Sequence, residues 1–143
     1  MTAGMEKAGH RFPVRVYYED TDAAGIVYYA NYLKYAERAR TEWLRAAGAG
    51  VGAALKGLIF VVRHCAIDYL QPAHLDELLE VETSLLAAAG AVLDLEQVVR
   101  RDGALLVRMQ VKLACLNEAG RPARLPAALR AAFETHLQSQ ECA

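Results

Sequence analysis

Hydrophobic and polar positions along the chain recur with two different periods, and the change from one to the other marks the elements. From Ala30 to Ala47 apolar residues return every three or four positions, at Tyr32, Leu33, Tyr35, Ala36, Ala39, Trp43, Leu44 and Ala47. Lys34, Glu37, Arg38, Arg40, Glu42 and Arg45 fill mostly the other side. This spacing predicts a helix with one buried face, and Gly48 supplies a stop of the kind helices favour. Ala36 and Ala39 in the middle of that face predict close packing on a sheet. Glu37 with Thr41, and Arg38 with Glu42, are four apart and predict weak surface pairing.

Elsewhere the period is two. Strands are expected from Phe12 to Glu19, Leu58 to Leu70, Glu77 to Leu86, Ala91 to Arg101 and Ala104 to Leu116. In the third, Leu79, Val81 and Thr83 alternate with Glu80, Glu82 and Ser84. Pro13 is tolerated near the start of a first strand, and Asp102-Gly103 is a strong hairpin signal. The Gly- and Ala-rich residues 49–58 predict a short helix or lid, Asn117 to Gly120 a turn, and Pro126 to Leu137 a final amphipathic helix with proline at its first position. The order of strand, long helix, four strands and helix predicts an α+β fold, an antiparallel sheet of about five strands with one long helix on one face. A single domain is expected over 11–138, with a flexible N-terminal tail at 1–10 and a C-terminal tail at 139–143.

Composition narrows the function classes. With 143 residues, 55% of them hydrophobic, the chain can build a core without disulfides or metal. A net charge of −1 gives no basic face for nucleic acid. No run of 18 apolar residues predicts a membrane span, and the N-terminus lacks the apolar stretch of a signal peptide. Cys65, Cys115 and Cys142 are odd in number and form no CxxC pair, so no disulfide framework and a reduced, cytoplasmic setting are expected. Cys65 and Cys115 read as buried thiols. His10, His64, His74 and His136 are scattered, without metal-ligand spacing, so no metal or other cofactor is expected.

Candidate chemistry concentrates between the first strand and the long helix. Glu19-Asp20-Thr21-Asp22 forms an acidic turn, followed by the small hinge Ala23-Ala24-Gly25, and six of the seven tyrosines lie at 17, 18, 28, 29, 32 and 35. One carboxylate can point into a cleft while the other stays solvated or caps the turn. A carboxylate among aromatic rings, near the amides of a helix start, is an arrangement that acyl chemistry uses. Asn31 bears on where those amides lie: as an N-cap it would start the helix two residues later and move them beyond Tyr29.

These residues carry a resemblance. YYEDTD at 17–22, GIVYYANYLKY at 25–35, ERARTEWLR at 37–45, FVVR at 60–63 and the Pro72-Ala73, Leu75-Asp76 pattern resemble the 4-hydroxybenzoyl-CoA thioesterase family of hotdog proteins, in its Tol-Pal-associated YbgC type. The resemblance implies a hotdog fold, a sheet wrapped around the long helix, and hydrolysis of an acyl-CoA thioester without a cofactor. It implies Asp22 as the catalytic carboxylate, acting as general base or nucleophile, and the backbone N–H of Tyr29 as oxyanion donor. Tyr18 is the third catalytic candidate, with a hydroxyl to orient the carboxylate or a water. YbgC-type relatives commonly have His at position 29, and this chain departs from them there. Arg63, Arg121 and Arg124 are the candidates to meet coenzyme A phosphates, since the turn at 86–92 carries no basic residue. His64 is a candidate to face the substrate cleft. An acyl carrier protein is the other donor allowed, and the resemblance implies a homodimer or homotetramer with shared sites. A hydratase reading would want a histidine on the long helix, which has none. The alternative from another class is a non-catalytic acyl-binding scaffold of the cell-envelope machinery.

Overall fold

The computed structural model of the protein describes residues 9–48, 57–127 and 129–133. Five strands, β1 (His10–Arg15), β2 (Ile59–Tyr69), β3 (Leu78–Ala89), β4 (Val92–Arg101) and β5 (Ala104–Leu116), form one antiparallel sheet in the order β1-β3-β4-β5-β2. One long helix, α1 (Asn31–Ala46), packs against β1 and β3. This is the α+β layer arrangement that the element order predicts and the hotdog arrangement that the resemblance implies. Residues 1–8 and 139–143 of the predicted tails, most of the predicted lid at 49–56, His136 and Cys142 lie outside the described residues. Of the final helix, residues 129–133 are helical.

The inner face of the sheet follows the period of two. Leu79, Val81 and Leu85 from β3, Leu93, Leu95 and Val99 from β4, and Val107, Met109, Val111 and Leu113 from β5 are buried together. Against them α1 sets Tyr32, Tyr35, Ala36, Ala39 and Trp43. The two alanines let the helix axis approach the sheet closely. Leu33, counted with the apolar face in the sequence, is exposed. The outer face carries cross-strand ion pairs, Arg11–Glu82 at 3.3 Å and Lys112–Asp94 at 3.7 Å among them. Such exposed pairs contribute little each. They do keep that face wet.

Several boundaries move for identifiable reasons. The first strand stops at Arg15, because Tyr18–Asp20 winds into one 3-10 turn instead of continuing to Glu19. β3 runs on to Ala89 through an irregularity between Leu85 and Ala87. Asp102 and Gly103 both have positive φ, 50° and 85°, as the expected two-residue hairpin requires. On the helix, Thr41 donates to the Glu37 carbonyl, and Glu42 pairs with Arg45 at 2.6 Å instead of with Arg38.

One polar residue sits in the middle of this core. Gln97 is fully buried, at a position that the alternation of Leu93, Leu95 and Val99 turns inward. Its Nε2 donates to the Ala36 carbonyl at 3.0 Å and to Thr83 Oγ1 at 2.9 Å, while its Oε1 accepts from Arg40 at 2.9 Å. It therefore bonds the helix to the sheet. Replacing Gln97 by Leu leaves Thr83 and Arg40 without their partner and is expected to cost about 1–3 kcal/mol. Urea denaturation measures this, and a variant as stable as wild type would show that the bridge contributes nothing.

Candidate active site

The segment between β1 and α1 is held by Asp20. An extended acidic turn would put Asp20 and Asp22 on one side, since residues two apart share a face. The 3-10 turn separates them: Asp20 is 7% exposed, and Asp22 stands in solvent. The Asp20 carboxylate accepts from Tyr17 N–H at 3.0 Å, Asn31 Nδ2 at 3.1 Å and the Tyr35 hydroxyl at 2.9 Å. Asn31 and Tyr35 are four apart on α1, so their side chains stack on one side of it and reach the same acid. Burial first, then the hydrogen bond to Asp20 and its charge, push the Tyr35 phenol well above its ordinary range.

The backbone of Asp20 starts a small hairpin. Its carbonyl accepts Tyr28 N–H at 2.9 Å, Thr21 pairs with Val27, and Asp22 N–H donates to Ile26 O at 2.9 Å. Gly25, at φ 78°, makes the left-handed step that closes the loop. Its N–H donates to Asp22 O at 3.0 Å. Asp22 thus sits at the hairpin tip, where its Oδ1 accepts Ala24 N–H at 2.9 Å. Among the described residues no other hydrogen bond holds its exposed carboxylate. The cleft burial expected of a tuned carboxylate is met by Asp20, not by Asp22.

The helix start is reached from the other arm of the hairpin. Ala30, at φ −73° and ψ −18°, takes the cap position without a side-chain bond, and Asn31 is the first helical residue. Asn31 is therefore no N-cap, because its side chain is committed to Asp20. Its N–H donates to the Tyr28 carbonyl at 2.8 Å. A trans peptide is planar, so Tyr29 N–H points opposite to that carbonyl, away from the helix body. Among the described residues, no backbone acceptor takes the N–H of Tyr29 or of Ala30. Those two donors lie at the positive end of a 16-residue helix, where backbone N–H groups have no partner inside the helix.

Aromatic rings enclose this end. Tyr29 packs edge-on to Tyr28 and Tyr69, with centroids 5.0 and 6.0 Å away, and the Tyr69 hydroxyl donates to the Tyr29 carbonyl at 3.1 Å. The Tyr32 hydroxyl accepts Ala73 N–H at 3.2 Å, and the Ala73 carbonyl accepts Val27 N–H at 2.8 Å. Ala73, fully buried, joins the loop after β2 to both hairpin and helix. Sequence reasoning missed Tyr69 and Asn31 as members of this cluster. Asn31 was legible from its spacing to Tyr35; Tyr69, forty residues away from Tyr29, had no local signal.

The other candidates are placed as follows. Tyr18 is 82% exposed, and no hydrogen bond joins its hydroxyl to Asp22 among the described residues. Arg63 and His64 are exposed on β2, Arg63 being the extra residue where the register with β5 shifts. Arg121 and Arg124 follow the end of β5, whereas Tyr69 pairs with Val107 near its start, so the chain does not bring them to Tyr29. Glu37 is exposed, as a solvated helix residue should be. Cys115 is buried as expected, whereas Cys65 is only half-buried; burial pushes both thiols up, in keeping with inert cysteines. Among the described residues no cluster of His, Cys, Asp and Glu could hold a metal ion, and no helix is long and apolar enough to cross a membrane. A cavity of about 200 Å³, lined by Phe12, Arg15, Tyr17 and Arg38, opens beside Asp20; neither Asp22 nor Tyr29 lines it.

Comparison with known proteins places the chain in a family. The sequence profile of the thioesterase-like superfamily matches residues 16–133. The chain is 46% identical over 133 residues to the acyl-CoA thioesterase YbgC of Haemophilus influenzae, covering 91% of this chain and 97% of that one. It is 40% identical over 127 residues to the acyl-CoA thioester hydrolase YbgC of Escherichia coli O6:H1, covering 87% and 95%. The crystal structure of a probable thioesterase from Bartonella henselae superposes with a TM-score of 0.78 at 41% identity, over 83% of this chain and all of that one.

The two acids should separate cleanly in stability measurements. Asp20→Asn turns an acceptor oxygen into a donor facing donors and is expected to lose about 1–3 kcal/mol; Asp22→Asn, at the surface, stays within about 0.5 kcal/mol of wild type. Equal urea midpoints for the two variants would refute the anchoring role of Asp20. Tyr35 adds a pH dependence. Its folded pKa is raised above the ordinary 10.0, so its contribution is complete below pH 10 and lost as pH climbs beyond. Thermal melts between pH 8 and 11 should show a decline that is shallower in Tyr35→Phe.

Proposed function

The chain belongs to the thioesterase-like superfamily and is a thioester hydrolase, and on that premise we propose that it cleaves acyl-CoA to a free acid and coenzyme A through Asp22 and the Tyr29 N–H. The observation that carries the assignment is the uncommitted Tyr29 N–H, aimed away from the helix and tied by one short hairpin to an exposed carboxylate. A thioester carbonyl set against that N–H gains a donor that strengthens as its oxygen becomes negative. A preorganised donor of this kind is worth roughly 2.7–4 kcal/mol in the transition state. The helix dipole acts in the same sense.

Asp22 has two chemically complete routes. As general base it takes a proton from water while the hydroxide adds to the carbonyl carbon; the tetrahedral intermediate then collapses, the C–S bond breaks, and the coenzyme A thiolate is reprotonated. As nucleophile its oxygen adds instead and expels the thiolate, leaving a mixed anhydride that water hydrolyses. Label in the Asp22 carboxylate after single turnover in ¹⁸O-labelled water would establish the second route, since it arises only when water attacks the aspartyl carbon of the anhydride. In both routes the amide of residue 29 polarises the carbonyl, so Tyr in place of His there does not disturb the mechanism.

The site includes a second copy of the chain in this reading. The two sheet edges are unequal: β1 is six residues long and carries Pro13, while β2 is eleven residues long, has no proline and exposes Ile59, Val62 and Tyr69. A long apolar edge is a pairing surface. Antiparallel pairing of β2 with its counterpart would wall in the end of β2 where Tyr69 meets Tyr29.

Purified protein should release thiol from acyl-CoA, with kcat falling at least about a hundredfold in Asp22→Asn and mostly retained in Tyr29→Phe, which keeps the amide. Matching wild-type and Asp22→Asn rates would remove Asp22 from the mechanism. Acyl-CoA binding without thiol release would favour the scaffold reading instead. Sedimentation should find at least a dimer at micromolar concentration, shifted towards monomer by Val62→Lys; a monomeric wild type contradicts the β2 interface.

A further inference from the structure

We propose that Tyr69 is a positioning residue, whose hydroxyl holds the Tyr29 carbonyl and so fixes the peptide plane that carries the Ala30 N–H, the donor next to that of Tyr29; the proposal rests on the hydrolase reading above. Tyr29 lies outside α1, between two peptide planes, and is 61% exposed. The preceding plane is fixed by backbone: Asn31 N–H holds the Tyr28 carbonyl at 2.8 Å, and one bond earlier Tyr28 N–H is held by Asp20 O at 2.9 Å. The following plane carries the Tyr29 carbonyl, which accepts the Tyr69 hydroxyl at 3.1 Å. With both planes held, neither φ nor ψ of Tyr29 is soft. Without the phenol, the plane that leads into the helix loses this side-chain restraint.

Tyr69 is well placed for the task. It is the last residue of β2, paired with Val107, and the next two N–H groups, of Leu70 and Gln71, both donate to Leu106 O at 2.8 and 3.0 Å. Its ring packs against Tyr32 at 5.8 Å and Tyr29 at 6.0 Å. The hydroxyl therefore transmits the rigidity of the sheet to a backbone unit that lies outside both sheet and helix. A phenol keeps its proton at neutral pH, and burial raises that of Tyr69 further, so the hydroxyl is a donor. Tyr32 offers an internal contrast, since its hydroxyl meets Ala73 N–H and has no bond to Tyr29.

Tyr69→Phe keeps the ring and removes only the hydroxyl. Expected is a fall in kcat of about three- to tenfold, the scale of one lost hydrogen bond, with KM within about twofold and little change in melting temperature. Tyr32→Phe should do the reverse, lowering the melting temperature with kcat preserved. NMR relaxation of the Ala30 amide, which shares a peptide plane with the Tyr29 carbonyl, supplies a readout that needs no turnover: its order parameter should drop in Tyr69→Phe and hold in Tyr32→Phe. Wild-type kcat and an unchanged Ala30 order parameter in Tyr69→Phe would overturn the proposal. A wild type that releases no thiol would instead overturn the hydrolase reading, and the NMR comparison would still decide whether Tyr69 orders the Tyr29–Ala30 peptide.

Discussion

A buried carboxylate with three donors is the constraint on which the functional end of this protein rests. Asp20 joins the 3-10 turn through Tyr17 N–H and α1 through Asn31 and Tyr35, and its carbonyl holds Tyr28. Removing any one donor leaves part of a desolvated group unpaired, which costs more than the bond contributes when intact. Turn, hairpin and helix start therefore form as one unit or lose their shared partner. The acid proposed for chemistry takes no part in this. Asp22 hangs from the unit by its backbone, so under the proposed mechanism the demands of stability and of reactivity would fall on two different carboxylates of one short turn.

The same division runs through the whole fold. Gln97 bonds the middle of the helix to the sheet, Ala36 and Ala39 set the distance between them, and the aliphatic residues of β3, β4 and β5 fill the space. None of these approaches the N-terminal end of α1. Groups at that end are exposed or hydrogen-bonded to backbone, and what rigidity they have is borrowed from neighbours: Asp20 through the Tyr28 N–H, the end of β2 through Tyr69.

Much of this was legible in the sequence, and the parts that were not share a cause. The periods of α1 and the five strands are local signals, as are Gly25 and Asp102-Gly103 at their turns. The early end of β1 was not legible, because the winding of Tyr18–Asp20 depends on donors from Asn31 and Tyr35, eleven and fifteen residues away. The Tyr69–Tyr29 contact spans forty residues and carries no periodicity at all. Within the acidic turn, spacing alone does not tell the two acids apart; the donors that gather on Asp20 and leave Asp22 exposed come from the three-dimensional structure.

The other end of α1 has a consequence of its own. Trp43, the single tryptophan, is buried and stacks on Phe133 with centroids 5.1 Å apart and planes 12° from parallel. At 1.5 Å of rise per residue it sits about 18 Å along the helix from Asn31. The molecule thus carries a built-in optical reporter with a fixed address. Its emission follows the seating of residues 129–133 against the helix, and the tyrosines at the opposite end must be watched by other means.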